Sequence, residues 1–168
     1  MIAVDTNILV YATRTDSIWQ ASAAATIRAL AQGDEWWAIP WPCVSEFFCV
    51  VTHPKIHKPP TPAPIAIAQI EAWLESPRLK LLGEIGAAWE TLRDTLASSR
   101  VVGPMVYDAR IAALCAQHGV DELLTADRDF SRFPGLRVRN PLIPNSANEP
   151  RGRYKLGAAA LKKQSRAR

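Results

Sequence analysis

Residues 1–12 read MIAVDTNILVYA, and the fold turns on how Ile2-Ala3-Val4 gives way to Asp5-Thr6-Asn7. A short apolar run closed by polar turn-formers predicts a buried strand that stops at Asp5. Ile8, Leu9 and Tyr11 then open a turn or short helix.

Outward from that stretch the same pattern repeats. An Ala-rich segment from Asp16 to about Leu30 predicts a helix, with Asp16 and Ser17 as caps and Gly33 closing it. Trp37-Ala38-Ile39 predicts a second strand, ended by Pro40 and Pro42. Pro42 suits a first helical position, so Cys43–Thr52 reads as a helix, with Glu46 among Val44, Phe47, Val50 and Val51. Residues 54–64 are Pro-rich and predict a loop. Helices are expected over Ile65–Leu74, Gly86–Ser98 and Val106–Gln117, the last with Gly119 at its C-terminal cap. Strands are expected at Leu79–Leu82, at Glu122–Thr125 and, on an edge, at Leu136–Val138. Strands alternating with helices predict an α/β domain with a parallel sheet. No apolar period continues past about Pro144, so residues 1–143 read as the domain and 144–168 as a basic, disordered tail.

Composition narrows the function. With 168 residues, 48% hydrophobic and 21% charged, the chain holds enough apolar side chains for a packed core. Cys43, Cys49 and Cys115 form an odd, sparse set without zinc-site spacing, which points to a reducing compartment. The start lacks a basic signal-peptide region, and no apolar window is long enough to span a membrane, so a cytoplasmic location is expected. The net charge of +4 belongs to the tail: residues 151–168 carry seven basic residues and no acid. That leaves 13 basic and 16 acidic residues in 1–150, a net of −3, which suits a metal site better than an extended phosphate-binding face.

Four acids sit where a solvated acid would not. Asp5 and Asp127 directly follow expected strands, Asp108 opens an apolar helix, and Glu46 lies in a helix rich in large apolar residues. Segments just beyond the carboxyl ends of parallel strands face a common crevice. Two carboxylates about 4 Å apart repel by roughly 4 kcal/mol at an effective dielectric near 20. A cluster of them persists when one is protonated or a cation lies between them. With only oxygen donors that cation is Mg²⁺ or Mn²⁺, an ion suited to phosphodiester hydrolysis. The plainer reading stays open for each acid alone: Asp5 as a turn or cap residue, Asp108 as a helix cap, Asp127 as the cap of Arg128–Ser131.

The same residues resemble PIN-domain nucleases. MIAVDTNILVYA is similar to the family's opening. PWPCVSEFFCVVTHP (residues 40–54) is similar to its second acidic motif, and VYDARIAALCAQHGVDELLTADRDFSRFPGL (106–136) to its third and fourth. Each motif alone is weak; the ordered set of four is specific, and it most resembles the VapC toxins of toxin–antitoxin pairs. The resemblance implies a three-layer α/β/α fold with a central parallel sheet. It implies Mg²⁺- or Mn²⁺-dependent endoribonuclease activity on RNA, a homodimer and a cognate antitoxin. It implies Asp5 and Asp108 as main metal ligands, completed by Glu46 and Asp127. Thr6 would orient a ligand or water, Asn7 would brace the loop, and Asp129 is a spare acid beside Asp127. The basic tail is outside the resemblance.

Other residues carry two readings each. The tail suits RNA phosphates or solubility. Trp36, Trp37 and Trp41 suit base stacking or core packing, with Trp41 the one expected at the surface. His53 and His57 suit substrate contact or plain solvation. Arg110 and Arg128 suit a scissile phosphate or a salt bridge steadying the carboxylates. The apolar helices 16–30 and 42–52 suit an antitoxin groove or the core. An aspartyl-phosphate phosphatase of the haloacid dehalogenase type needs an acid two residues after the first Asp, where this chain has Asn7. The other class to weigh is a catalytically inactive PIN-like module that binds RNA or a partner.

Overall fold

A computed structural model of the chain describes residues 1–143; the expected disordered tail, 144–168, lies outside them. Among the described residues are strands β1 Ile2–Val4, β2 Trp37–Pro40, β3 Leu79–Leu82, β4 Glu122–Leu124 and β5 Val138–Arg139. The helices are α1 Thr6–Thr13, α2 Gln20–Gln32, α3 Trp41–Thr52, α4 Ala63–Leu74, α5 Ala88–Ser98 and α6 Val106–Gln117, with short 3₁₀ turns at Gly103–Met105 and Arg128–Arg132. The sheet runs β3-β2-β1-β4-β5, and every pair is parallel. Helices cover both faces, giving the three-layer α/β/α architecture: α1, α2, α3 and α4 pack with one another, and α5 packs with α6.

Double coverage explains the strand sequences. Ala3, Val4, Trp37, Ala38, Ile39, Leu123 and Leu124 are all buried, so the inner strands show apolar runs rather than alternation. The apolar face of α3 (Cys43, Val44, Phe47, Val51) belongs to this core. Phe47 meets Trp73 of α4 edge to face with ring centroids 4.8 Å apart, a geometry worth about 0.5–1.5 kcal/mol beyond burial. Trp37 is wholly buried and donates its indole N–H to Ser76 Oγ at 3.0 Å, whereas Trp36 and Trp41 are exposed.

Several boundaries move for identifiable reasons. Helix α2 starts at Gln20 without a side-chain cap, because Asp16 is taken by Arg14 (Nη2 to Oδ2, 2.6 Å). Arg14 also donates to the Pro59 carbonyl at 3.1 Å and to Thr61 Oγ1 at 3.2 Å, pinning the Pro-rich loop. Helix α3 begins at Trp41, which puts Pro42 second; its missing N–H is unneeded anywhere in a first turn. Gly86 adopts a left-handed φ of +48°, so α5 waits until Ala88. Gly119, at φ +61°, ends α6 where the sequence predicts.

The topology also locates a crevice. The chain leaves central β1 toward β2 on one side and returns through β4 on the other. Ligands of open parallel sheets bind where the strand order reverses in this way, beyond the carboxyl ends. Asp5 follows β1 and Asp127 lies just past β4, so both border that point.

Candidate active site

Register builds the site from its centre. Val4 pairs with Leu124, which brings the next residues, Asp5 and Thr125, side by side. Asp5 N–H donates to the Leu124 carbonyl at 3.0 Å, and Asp5 then caps α1, accepting from Thr6 N–H at 2.7 Å. Its other oxygen accepts from Thr125 Oγ at 2.6 Å and from Asn7 Nδ2 at 2.5 Å. The Cys43 thiol lies 3.8 Å from Oδ1.

Asn7 and Thr125 extend this network to the fourth acid. Asn7 Oδ1 accepts from Ala126 N–H at 3.0 Å, and Thr125 Oγ accepts from Asp127 N–H at 2.9 Å. Asp127 caps the 3₁₀ turn Arg128–Arg132, accepting from Asp129 N–H at 2.8 Å. Capping is therefore a true reading of both Asp5 and Asp127. It occupies part of each carboxylate and leaves the rest for other work. Asp108 caps nothing: the cap of α6 is Met105, and Asp108 stands half-buried in the first turn.

Glu46 is placed differently from its sequence reading. It faces outward from α3, away from Val44, Phe47 and Val51, and its Oε2 accepts from Thr6 Oγ1 at 2.7 Å. Thr6, itself buried, thus bridges the first and second acidic motifs.

The charges of these acids feel one another. Burial pushes the Asp5 carboxyl up to about 7 against the hydrogen bonds of Thr125 and Thr6, and Glu46 and Asp108 add to the rise. Burial, then Asp127, Glu46 and Asp129, push Asp108 up to about 6, with Arg132 opposing. Asp127 is raised by burial first and by Asp129, against its backbone hydrogen bond and Arg132. The Tyr11 phenol is raised by burial, then by Asp127 and Asp5, so it too borders the cluster.

The donor set is chemically suited to a hard dication. The acids offer oxygen only, and burial holds the Cys43 thiol well above its usual range, protonated and unfit as a thiolate ligand. Among the described residues no three His, Cys, Asp or Glu side chains converge closely enough to enclose an ion by themselves. Magnesium does not require such a cage, since it keeps several waters and binds through one or two carboxylates.

Sequence reasoning singled out Arg110 and Arg128 beside the acids. Arg110 is instead held by Glu84 (Nη2 to Oε1, 2.5 Å), and Arg128 is exposed, with no ion pair among the described residues. It missed Thr125, Tyr11, Cys43 and Arg132. The readable signal for Thr125 was its position immediately after a strand and two residues before Asp127.

Residues 2–136 match the PIN domain family. The ribonuclease VapC48 of Mycobacterium tuberculosis is 30% identical over 137 residues, covering 82% of this chain and 94% of that protein. A VapC ribonuclease of Mycobacterium bovis is 32% identical over 142 residues, covering 84% and 96%. Among solved structures, VapBC2 of Rickettsia felis bound to a promoter DNA fragment superposes with a TM-score of 0.62 at 20% identity, covering 83% of this chain and 98% of that one. The sarcin-ricin loop cleaving toxin VapC20 of Mycobacterium tuberculosis gives 0.59 at 18%, covering 83% and 100%. At these identities the structures speak to the fold alone. The sequence matches carry the assignment: the chain belongs to the PIN-domain family, among the VapC ribonucleases.

Proposed function

We propose that this chain is a Mg²⁺-dependent endoribonuclease, the toxin of a toxin–antitoxin pair, cleaving RNA with an activated water. The observation that supports the reading is a hydrogen-bonded network joining acids of separate segments: Thr6 bonds both Asp5 and Glu46, Thr125 bonds both Asp5 and the Asp127 N–H, and Asp108 lies half-buried in the first turn of α6. Asp5 and Asp108, whose proton affinities rise to about 7 and about 6, would hold Mg²⁺ or Mn²⁺, and Glu46 and Asp127 would complete the shell directly or through water. The bound cation supplies a lowered pKa for water and neutralises charge on the phosphodiester. Asp127, half-buried and raised above the ordinary carboxylate range by burial, would accept the proton of the attacking water. Thr6 orients Glu46, while Thr125 and Asn7 fix Asp5. Asp129 assists Asp127 from the neighbouring turn.

A cognate antitoxin, a homodimer and a cytoplasmic location belong to the same proposal. The antitoxin is supported by the likeness to VapBC2 of Rickettsia felis and by exposed Ile65, Ile67 and Leu74 on α4. Among the described residues no helix is long and apolar enough to cross a membrane. A second reading, a binding module that does not cut, draws on the lack of a closed three-ligand cluster among the described residues.

The test is incubation of a mixed RNA pool with the purified chain in Mg²⁺, in EDTA, and with Asp5→Asn. Cleavage in Mg²⁺ alone, lost in the other two, is expected. RNA binding without cleavage in Mg²⁺ favours the second reading, and cleavage that survives both controls assigns the activity to a contaminant.

A further inference from the structure

An anionic phosphodiester must approach an anionic cluster, so a cation is needed at its edge. Arg132, the last residue of the 3₁₀ turn, is placed for this. Its Nε donates to the Asp129 carbonyl at 3.1 Å, and its Nη1 lies 3.2 Å from Met105 Sδ. Asp129 is two residues past Asp127, and Met105 is the cap of the helix that carries Asp108. The guanidinium therefore spans the gap between the segments bearing those two acids. Consistent with that position, its charge opposes the rise in proton affinity at both Asp108 and Asp127.

Its donors are not used up. A guanidinium has five N–H groups; one is well spent on a carbonyl, and the thioether is a weak acceptor. The ion pair with Asp129 is long, at 3.5 Å, and exposed, so it contributes little and yields readily. The side chain is 41% exposed. Arg110, by contrast, is consumed by Glu84.

We propose that Arg132 binds a backbone phosphate of the RNA beside the acid cluster, as a positioning residue that draws the substrate in without touching the proton transfers. This rests on the nuclease reading above. The geometry predicts a bidentate contact, which lysine cannot reproduce.

The test measures binding of a short fluorescein-labelled single-stranded RNA of mixed sequence in EDTA, between about 50 and 200 mM salt. Cleavage of the same RNA is followed in Mg²⁺. Arg132→Gln is expected to melt like the wild type, to bind several-fold more weakly, and to reduce the magnitude of the salt slope by about 0.7–1. Its KM should rise while kcat stays within about threefold, the split expected when ground-state and transition-state binding are lost together. Arg132→Lys should keep the slope but raise KM, because the charge remains and the fork is gone. Unchanged slope and KM in Arg132→Gln overturn the proposal. If that variant does not fold, an unchanged KM in Arg132→Lys overturns it instead. Wild-type chain that cleaves no RNA in Mg²⁺ sinks the nuclease reading and this inference together. Wild-type cleavage matched by both variants sinks this inference alone.

Discussion

Thr125 donates its hydroxyl hydrogen to Asp5 Oδ2 across 2.6 Å, although the two are 120 residues apart in the chain. The Thr125 hydroxyl oxygen in turn accepts the Asp127 N–H at 2.9 Å. One buried hydroxyl therefore ties together two acids that lie just beyond the carboxyl ends of adjacent strands. Parallel pairing of β1 with β4 makes this possible, since it aligns the carboxyl ends of both strands.

Thr125→Val tests that link, because it keeps the shape and removes both of these hydrogen bonds together with the one that Thr125 Oγ1 accepts from Asn7 Nδ2 at 2.8 Å. Leaving the buried Asp127 N–H and Asp5 carboxylate short of a partner costs about 1–3 kcal/mol. Urea unfolding should show that loss, and RNA cleavage should fall at least about tenfold as Asp5 loosens, a scale typical of misplaced catalytic groups. Thr125→Ser should restore both. Cleavage at the wild-type rate by the valine variant would show that Asp5 is held without Thr125.

The proton affinity of Asp5 predicts how the metal-free protein responds to pH. In the unfolded chain an Asp titrates near 3.9, whereas folded Asp5 titrates at about 7. Between those values the folded state holds a proton that the unfolded state releases. Its contribution is therefore complete below about pH 4 and is lost as pH rises through 7, a difference on the order of 4 kcal/mol. Thermal melts in EDTA should fall between about pH 4 and 7 and level off above that in the wild type, with a clearly shallower fall in Asp5→Asn. On the proposed metal-site reading magnesium would displace that proton, so its affinity should rise with pH over the same window and proton release should accompany binding. Equal pH slopes in the two proteins would remove Asp5 as the titrating group.

The local grammar of the chain was readable, and the long-range contacts were not. Strands β1 and β3 begin and end where the residues predict, and Asp5, Asp108 and Asp127 stand at the ends of elements that the sequence places. Their neighbours required the tertiary fold. Sequence proximity favoured Arg110 and Arg128, yet Arg110 turns toward Glu84, 26 residues away, and Arg132 takes the place beside the acids. Helix α2 starts later than its residues predict because Arg14 captures the side chain expected to cap it. Glu46 was read as one of a group of apolar residues, whereas helical geometry turns it outward beside Ser45 and Cys49. Thr125 lacked any signal of its importance beyond its position, because the adjacency of β1 and β4 is a property of the whole sheet.

Glu122 and Asp108 make opposite predictions from similar beginnings. Both are acids on apolar elements, and Glu122 is the more buried, at 7% exposure. Glu122 opens β4, at the far end of the strand from Asp127, and is answered by Arg139 at 2.7 Å and Arg137 at 3.3 Å. Its burden is matched by partners, so its work is to tie β4 to the edge strand β5. Asp108 has no ion pair among the described residues, and burial first, then Asp127, Glu46 and Asp129, raise its proton affinity to about 6. Glu122→Gln should lower stability by about 1–2 kcal/mol, the arginines being partly solvated, while kcat stays near the wild-type value. Asp108→Asn should retain or gain metal-free stability at pH 8, since it relieves repulsion, and should lose cleavage by about a hundredfold or more, as expected when an electrostatic anchor of the transition state is removed. Urea melts and initial rates on one RNA distinguish the two. Loss of cleavage in Glu122→Gln at unchanged stability, or wild-type cleavage in Asp108→Asn, would mean that the crevice beyond β1 and β4 is not where the chemistry occurs.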